Sequence, residues 1–511
     1  MTAQSRIDYW LRPALLAAAI WGVWQSQHFP FFWDTIQLGS KHAHHYYETG
    51  FAELLLPDTI DSGHPPGFGL YLAAVWSLFG KSLTISHWSM LPFILGIVRL
   101  LFPIGRYFSK AWGWVFPLLA LALPPVSGQL LLVSPDVVLV FGFLLGLYGV
   151  FYQKNWPRVA GAIILAALST RGMMTVVVLF LFDLYLQFAP LSAPSDIPKG
   201  KQSSLPANSK SKMGLPVGER PMPKARTEHA PYLRTTTLAL QILPPYLPSG
   251  LLALAFLLYH YLEKGWIGYH AGSEWAPSFV RVEMIGFLKN AATLTWRLLD
   301  YGMVFSWIAL GIVLWREPKI LRHPKVRAAV WLTGISLFLL TPTFLLYSGL
   351  QQHRYLLPVL LALLLLTFTV IAQSTLGKLW KTGWFALVFA GLVTGHFWVY
   401  PDPIAQSWDT TLAHLPYFQL KAKMIDYLDE EDIPLEEVGT AFPEIGPQNL
   451  KDLSGRNDGF APRDLAAQRY ILYSNVMNDF SDAEREQLEA AWSVDKKMER
   501  GGVKLILYRK Y

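Results

Sequence analysis

The sequence predicts an all-α polytopic membrane protein with a small C-terminal α/β soluble domain. The expected membrane part has about eleven transmembrane helices and a long first extracytoplasmic loop carrying interfacial helices. Three observations lead there. The chain has 511 residues, of which 52% are hydrophobic and only 15% charged, against about 25% charged in an average soluble protein. Several apolar runs approach the roughly 20 residues that cross a bilayer core of about 30 Å. After Tyr400 the composition becomes that of an ordinary soluble domain.

Charge and cysteine content narrow the classes further. The net charge of +7 and pI near 9.2 fit Lys and Arg retained in cytoplasmic loops. No basic stripe interleaves with stacking aromatics outside the spans, so nucleic acid is not an expected partner. The chain has no cysteine, which excludes disulfides, thiolate metal sites and Cys nucleophiles. The N-terminus has a basic flank and an apolar core without a small-residue cleavage site, the pattern of a retained first helix. No internal sequence repeat is evident.

The first span runs over about Tyr9–Gln25, with Arg6 and Arg12 at its entry placing the N-terminus in the cytoplasm. The stretch from residue 28 to residue 86 then lies outside. Asp34–Phe51 carries Ile36, Ser40, Ala43, Tyr47 and Phe51 at helical spacing, an amphipathic helix lying on the membrane. Phe31-Phe32-Trp33 read as interface anchors. Phe68–Phe79 is apolar but too short to span. His87–Gly105 returns inward to Arg106 and Lys110. Trp112–Leu132 goes out, broken near its outer end by Pro124-Pro125. Ser134-Pro135-Asp136 is an outer turn, and Val137–Tyr152 runs inward to Lys154 and Arg158. Val159–Leu168 and Met173–Phe188 meet at Ser169-Thr170-Arg171-Gly172, on the outer surface.

Residues 189–234 carry eight Lys/Arg against three acids among Pro and Ser, a composition expected to form a disordered basic cytoplasmic linker. Further spans follow at Leu238–Leu262, Tyr301–Trp315, Ala328–Tyr347, Leu356–Ala372 and Trp384–Tyr400. Outer loops hold Glu263 to Trp275 and Ser348 to Tyr355. Five inner loops are basic under this one assignment, which puts the C-terminal domain outside; the expected location is the plasma (inner) membrane. Residues 1–400 thus form the membrane domain and 401–511 the extracytoplasmic α/β domain. In the tail, 469–474 and 503–509 read as strands. Between them, Ser481 and Glu484 form a capping box. The tail shows no catalytic motif.

The residues able to carry chemistry lie at outer span ends. Asp34 is placed to take a proton from an acceptor hydroxyl or to cap the helix after it. Asp136 is an acid beside hydrocarbon, a costly placement that marks function, or a cap for the span it opens. His64, in Gly63-His64-Pro65-Pro66-Gly67, is able to donate to a phosphate oxygen, or is simply part of a stiff turn. Arg171 and Arg354 either bind a phosphate or snorkel to lipid headgroups. His44 and Glu48 share a helix face and offer two ligands to a divalent metal cation, short of a complete site.

The order of these motifs carries a resemblance. Asp34 stands outside span one, and Tyr46-Tyr47-Glu48 end an amphipathic helix. His64-Pro65-Pro66 is followed by Phe79-Gly80, then Pro135-Asp136, Thr170-Arg171-Gly172 and His353-Arg354-Tyr355-Leu356-Leu357-Pro358. In this order the chain, from about residue 8 to 375, resembles the GT-C superfamily. Within it, the likeness is to the group holding bacterial aminoarabinose transferase and the protein O-mannosyltransferases. The resemblance implies a GT-C-like fold and a membrane glycosyltransferase. The implied reaction is inverting transfer of a sugar from a polyprenyl-phosphate donor to a hydroxyl acceptor (lipid, glycan or protein) on the outer face. It implies that Asp34 acts as base or positions the acceptor, that Asp136 supports the first loop, and that Arg171, Arg354 and Tyr355 hold the lipid phosphate. Thr35 stands where many relatives carry a second acid, and Gly63-His64 where aminoarabinose transferase has an acid and a Lys. The different-class alternative is a multi-pass transporter or lipid flippase, since intramembrane acids also mark ion paths; the missing repeat symmetry stands against it.

Overall fold

The computed structural model describes residues 3–188, 242–272 and 276–511. The expected linker 189–234, the start of the span at Leu238, and Glu274 and Trp275 lie outside the described residues.

The first half is a helical bundle: α1 (Ala3–Ser26), α2 (His42–Glu48), α3 (Gly67–Phe79), α4 (Leu83–Phe108), α5 (Val115–Ala122), α6 (Pro124–Leu130), α7 (Pro135–Phe151), α8 (Asn155–Leu168) and α9 (Thr170–Phe188). Local chemistry sets their starts. Ser82 caps α4 by accepting from Ile85 N. Ser134 caps α7, whose first residue is Pro135, a position where the missing N–H costs nothing. α7 is apolar and buried nearly all round, as is Leu357–Gln373, and both therefore sit in the centre of the bundle.

Among the described residues, four helices are long and apolar enough to cross a membrane: Leu83–Phe108, Thr170–Phe188, Pro324–Leu346 and His353–Gln373. Two bent pairs raise the number to six: Pro124–Leu130 with Pro135–Phe151, at 120°, and Met284–Leu299 with Met303–Arg316, at 85°. Other apolar runs form shorter helices, such as Gly67–Phe79 and Asn155–Leu168.

Several local expectations are corrected. The chain after Asp34 is not one amphipathic helix: a π-helical turn, Ile36–Lys41, precedes α2. The wider turn lets His42 and His44 point inward, and Gly69 of α3 lies against His42, where an added Cβ would stand 2.6 Å from the His42 Cβ. Phe31, Phe32 and Trp33 do not anchor at a membrane interface. All three are buried, and Phe32 and Trp33 belong to the core of the C-terminal domain. Met284–Leu299, an amphipathic helix with scattered polar residues, was hidden by its weak hydropathy.

The C-terminal part carries a six-stranded mixed sheet in the order β2-β3-β1-β4-β6-β5. The strands are β1 (Val438–Thr440), β2 (Gly446–Pro447), β3 (Gly459–Pro462), β4 (Tyr470–Ser474), β5 (Trp492–Arg500) and β6 (Val503–Lys510). Both sequence-predicted strands are there, and so is the Ser481–Glu484 capping box. Charged β5 had no alternation to reveal it; it is paired to β6 through Gly501-Gly502, both at positive φ.

Candidate active site

Four separated segments build one cavity of about 150 Å³. Asp34 comes from the turn before the π-helix, His64 from the Gly-His-Pro-Pro turn, Arg171 from the first turn of α9, and Tyr355 from the start of the late span. An apolar wall of Phe68, Leu168, Met174, Leu340 and Phe344 completes it. The cavity therefore sets a few convergent polar groups against a hydrocarbon surface, the character of a site for an amphipathic ligand.

Asp34 is held by strained backbone. Trp33 has φ +53°, a conformation that bulky residues avoid. Thr35 closes the turn: Phe32 N donates to Thr35 Oγ1 at 2.8 Å, and that hydroxyl donates to Phe32 O at 2.8 Å. Thr35 therefore does not enter the cavity. The Asp34 carboxylate accepts from Arg354 Nη2 and, at 3.4 Å, from Tyr355 OH.

Behind this wall lies a buried ionic cluster. Arg171 Nη2 donates to Asp136 Oδ1, and Arg171 Nη1 to Arg354 O at 2.7 Å. Arg354 Nη1 lies 4.0 Å from Asp136 Oδ2, and its Nη2 donates to Tyr355 OH at 3.2 Å. Both guanidinium groups pack on the Tyr355 ring, at 5.3 and 5.0 Å from its centroid. Asp136 is not the cap of α7, since Ser134 fills that role. Asp136 and Arg354 do not line the cavity; they hold Arg171, Asp34 and Tyr355, which do.

A third carboxylate meets Arg354. Asp409 Oδ2 lies 3.2 Å from Arg354 Nε, and Asp409 is 2% exposed. It stands in the tail, where ordinary composition and the lack of periodicity gave no reason to look. One signal was present: Trp408-Asp409-Thr410 repeats Trp33-Asp34-Thr35. Burial pushes the Asp409 carboxyl up to about 6, against the pull of Arg354, with Asp34 and Asp136 adding to the rise. Burial first, then the Arg171 cation, holds the His64 imidazole down to about 4. At neutral pH His64 is therefore uncharged. Its Nδ1 lies 3.2 Å from Thr170 Oγ1.

The pair His44 and Glu48 turns to other partners. His44 Nδ1 lies 2.9 Å from Ser40 O, while Glu48 is paired with Lys81 at 3.4 Å. Among the described residues no three His, Asp or Glu side chains converge as metal ligands.

No family model matches the chain, and no curated protein does. Solved structures do. A crystal structure of ArnT from Cupriavidus metallidurans bound to undecaprenyl phosphate superposes over 98% of each chain, with TM-score 0.52 and 11% identity. The chain has the ArnT fold. The apo structure of the same ArnT covers 97% of each chain with TM-score 0.49 and 12% identity. The ArnT-like fold extends through the C-terminal sheet domain as well as the bundle, since the match runs nearly the whole length. The expected helical bundle with a small C-terminal sheet domain is thus observed, in an ArnT-like fold.

Proposed function

We propose that this chain is a membrane glycosyltransferase that moves a sugar from a polyprenyl-phosphate donor to a hydroxyl acceptor, with inversion, on the outer face of the membrane. The observation that carries the reading is the cavity itself: a carboxylate, a guanidinium, a phenol and a neutral imidazole face one another across an apolar wall. The ArnT fold adds to it, because the ArnT structure was solved with undecaprenyl phosphate bound.

Arg171, Tyr355 and His64 bind the donor phosphate, Arg171 by charge-assisted hydrogen bonds and the other two as neutral donors. The apolar wall takes the start of the polyprenyl chain. Asp34 accepts the proton of the acceptor hydroxyl as that oxygen bonds to the anomeric carbon. The bond from that carbon to the phosphate oxygen breaks, and polyprenyl phosphate leaves with the electron pair. Attack from the face opposite the phosphate inverts the anomeric centre. Asp136 and Arg354 keep these groups aimed. On this reading the chain makes about eleven passes, with the N-terminus cytoplasmic and residues 401–511 outside. Lipid extracts test the reading. Cells lacking the protein are expected to accumulate a polyprenyl-phosphate sugar, detected by mass spectrometry. The wild-type chain is expected to clear it, and Asp34→Asn is not. An unchanged lipid-linked sugar pool would refute the assignment.

A further inference from the structure

We propose that Asp409 is a positioning residue for the transfer, holding the Arg354 guanidinium against Asp34 from the C-terminal side of the site. This deepens the transferase reading above and rests on it.

The sequence places the tripeptide Trp-Asp-Thr twice, at 33–35 and 408–410. Both copies close a four-residue turn on a Thr hydroxyl, although only the first has its Trp at positive φ. Thr35 N donates to Phe32 O at 3.2 Å, and Thr410 N to Ser407 O at 3.1 Å. The Thr35 hydroxyl donates to Phe32 O at 2.8 Å, and the Thr410 hydroxyl to Ser407 O at 2.5 Å. Each turn delivers its carboxylate to one side of Arg354: Asp34 to Nη2 and Asp409 to Nε. Asp136 stands 4.0 Å from Nη1. Three sides of a planar cation are thus met by three acids from three distant segments.

The segment carrying Asp409 is fixed to the bundle. Gln129 Nε2 of α6 donates to Asp409 O at 2.8 Å. His353, the neighbour of Arg354, places Nδ1 3.0 Å from Ser407 Oγ and Nε2 3.0 Å from Asp300 Oδ2. Gly128 leaves room for the chain, since a Cβ there would stand 2.7 Å from the Thr410 carbonyl carbon. Trp408 Nε1 donates to Asn475 O in the sheet domain at 2.9 Å.

The consequence is chemical. Without the Asp409 contact, the Nε side of Arg354 would have no carboxylate beside it and the guanidinium could shift away from Asp34. With its Nε side held by Asp409, Arg354 stays on Asp34, and its charge is shared among three carboxylates instead of neutralising the base.

The test uses the full chain, purified in detergent, with a polyprenyl-phosphate sugar and an acceptor. Asp409→Asn is expected to lower kcat at least fivefold with the donor KM within threefold. In an Arg354→Gln background, measured by single turnover, the same change is expected to cost less than twofold, because its target is gone. A fall in kcat below fivefold, or an equal loss in both backgrounds, overturns the proposal. Asp409→Ser fits the same space and reads the same outcomes if the Asn variant does not accumulate. If wild type transfers nothing, the transferase reading fails instead; if wild type transfers and Asp409→Asn keeps its kcat, only the role of Asp409 fails.

Discussion

Replacing Asp34 with Asn removes the proposed base and almost nothing else. The side chain keeps its volume, and the site is 5% exposed, so packing is preserved. Arg354 keeps Asp409 at 3.2 Å and Asp136 at 4.0 Å. No buried cation is left alone, so the cost stays well below the about 3–5 kcal/mol of a broken buried pair. Loss of a general base costs about 10²–10⁴ in rate, or about 3–5 kcal/mol in the barrier. The donor phosphate is anionic, so losing a negative charge beside it does not weaken its binding. The expected result with purified protein is therefore a kcat lowered by about 10²–10⁴ with an unchanged or lower donor KM. Thermal unfolding in the same detergent checks that the variant is folded. A kcat within threefold of wild type, or a raised KM with kcat intact, would refute the role of Asp34 as base.

Three further expectations follow from the same geometry. Arg171→Gln removes charge-assisted bonds worth about 1.5–3 kcal/mol, so the donor KM should rise about 10–100-fold; Arg171→Lys should recover only part, since the planar fork is lost. Asp409 makes stability depend on pH. Its folded pKa of about 6 lies above the ordinary carboxylate value of about 3.9. Its contribution is fully present below about pH 4 and is lost as pH rises through about 6. Wild type should therefore lose up to about 3 kcal/mol more than Asp409→Asn between pH 4 and 7 in unfolding measurements; parallel curves would contradict this. Chelation with EDTA should leave the transfer rate within twofold, because His44 and Glu48 are turned to Ser40 and Lys81; a rate abolished by EDTA and restored by Mn²⁺ would return them as metal ligands.

Much of the site was legible because its residues stand at span ends, where an acid or an Arg conflicts with its apolar neighbours. Asp34 and Arg171 were visible in that way, His64 through its Gly- and Pro-flanked turn and Tyr355 only through the family resemblance, and the fold brings all four to one cavity. Their division of labour was not visible. Arg354 and Asp136 have the same local signature as Arg171 and Asp34, yet they lie behind the cavity wall, a distinction made only by long-range packing. Phe32 and Trp33 look like membrane anchors in sequence, because an interface and a domain core attract the same aromatic side chains; Phe32 in fact stacks on His414 at 4.9 Å. Asp409 carried only the repeated tripeptide, which has no meaning until two turns are seen around one arginine. The π-helical turn after Asp34 left no trace in the spacing of Ile36, Ser40 and Ala43.

The most direct test of the account follows the sugar itself. Wild-type protein in proteoliposomes is given a polyprenyl-phosphate donor labelled in the sugar, with membrane extract as acceptor source. The label should leave the lipid and appear on an acceptor, with free polyprenyl phosphate formed in equal amount, and neither should occur with Asp34→Asn. Label that stays on the lipid and only changes leaflet would contradict the account and identify the chain as a flippase.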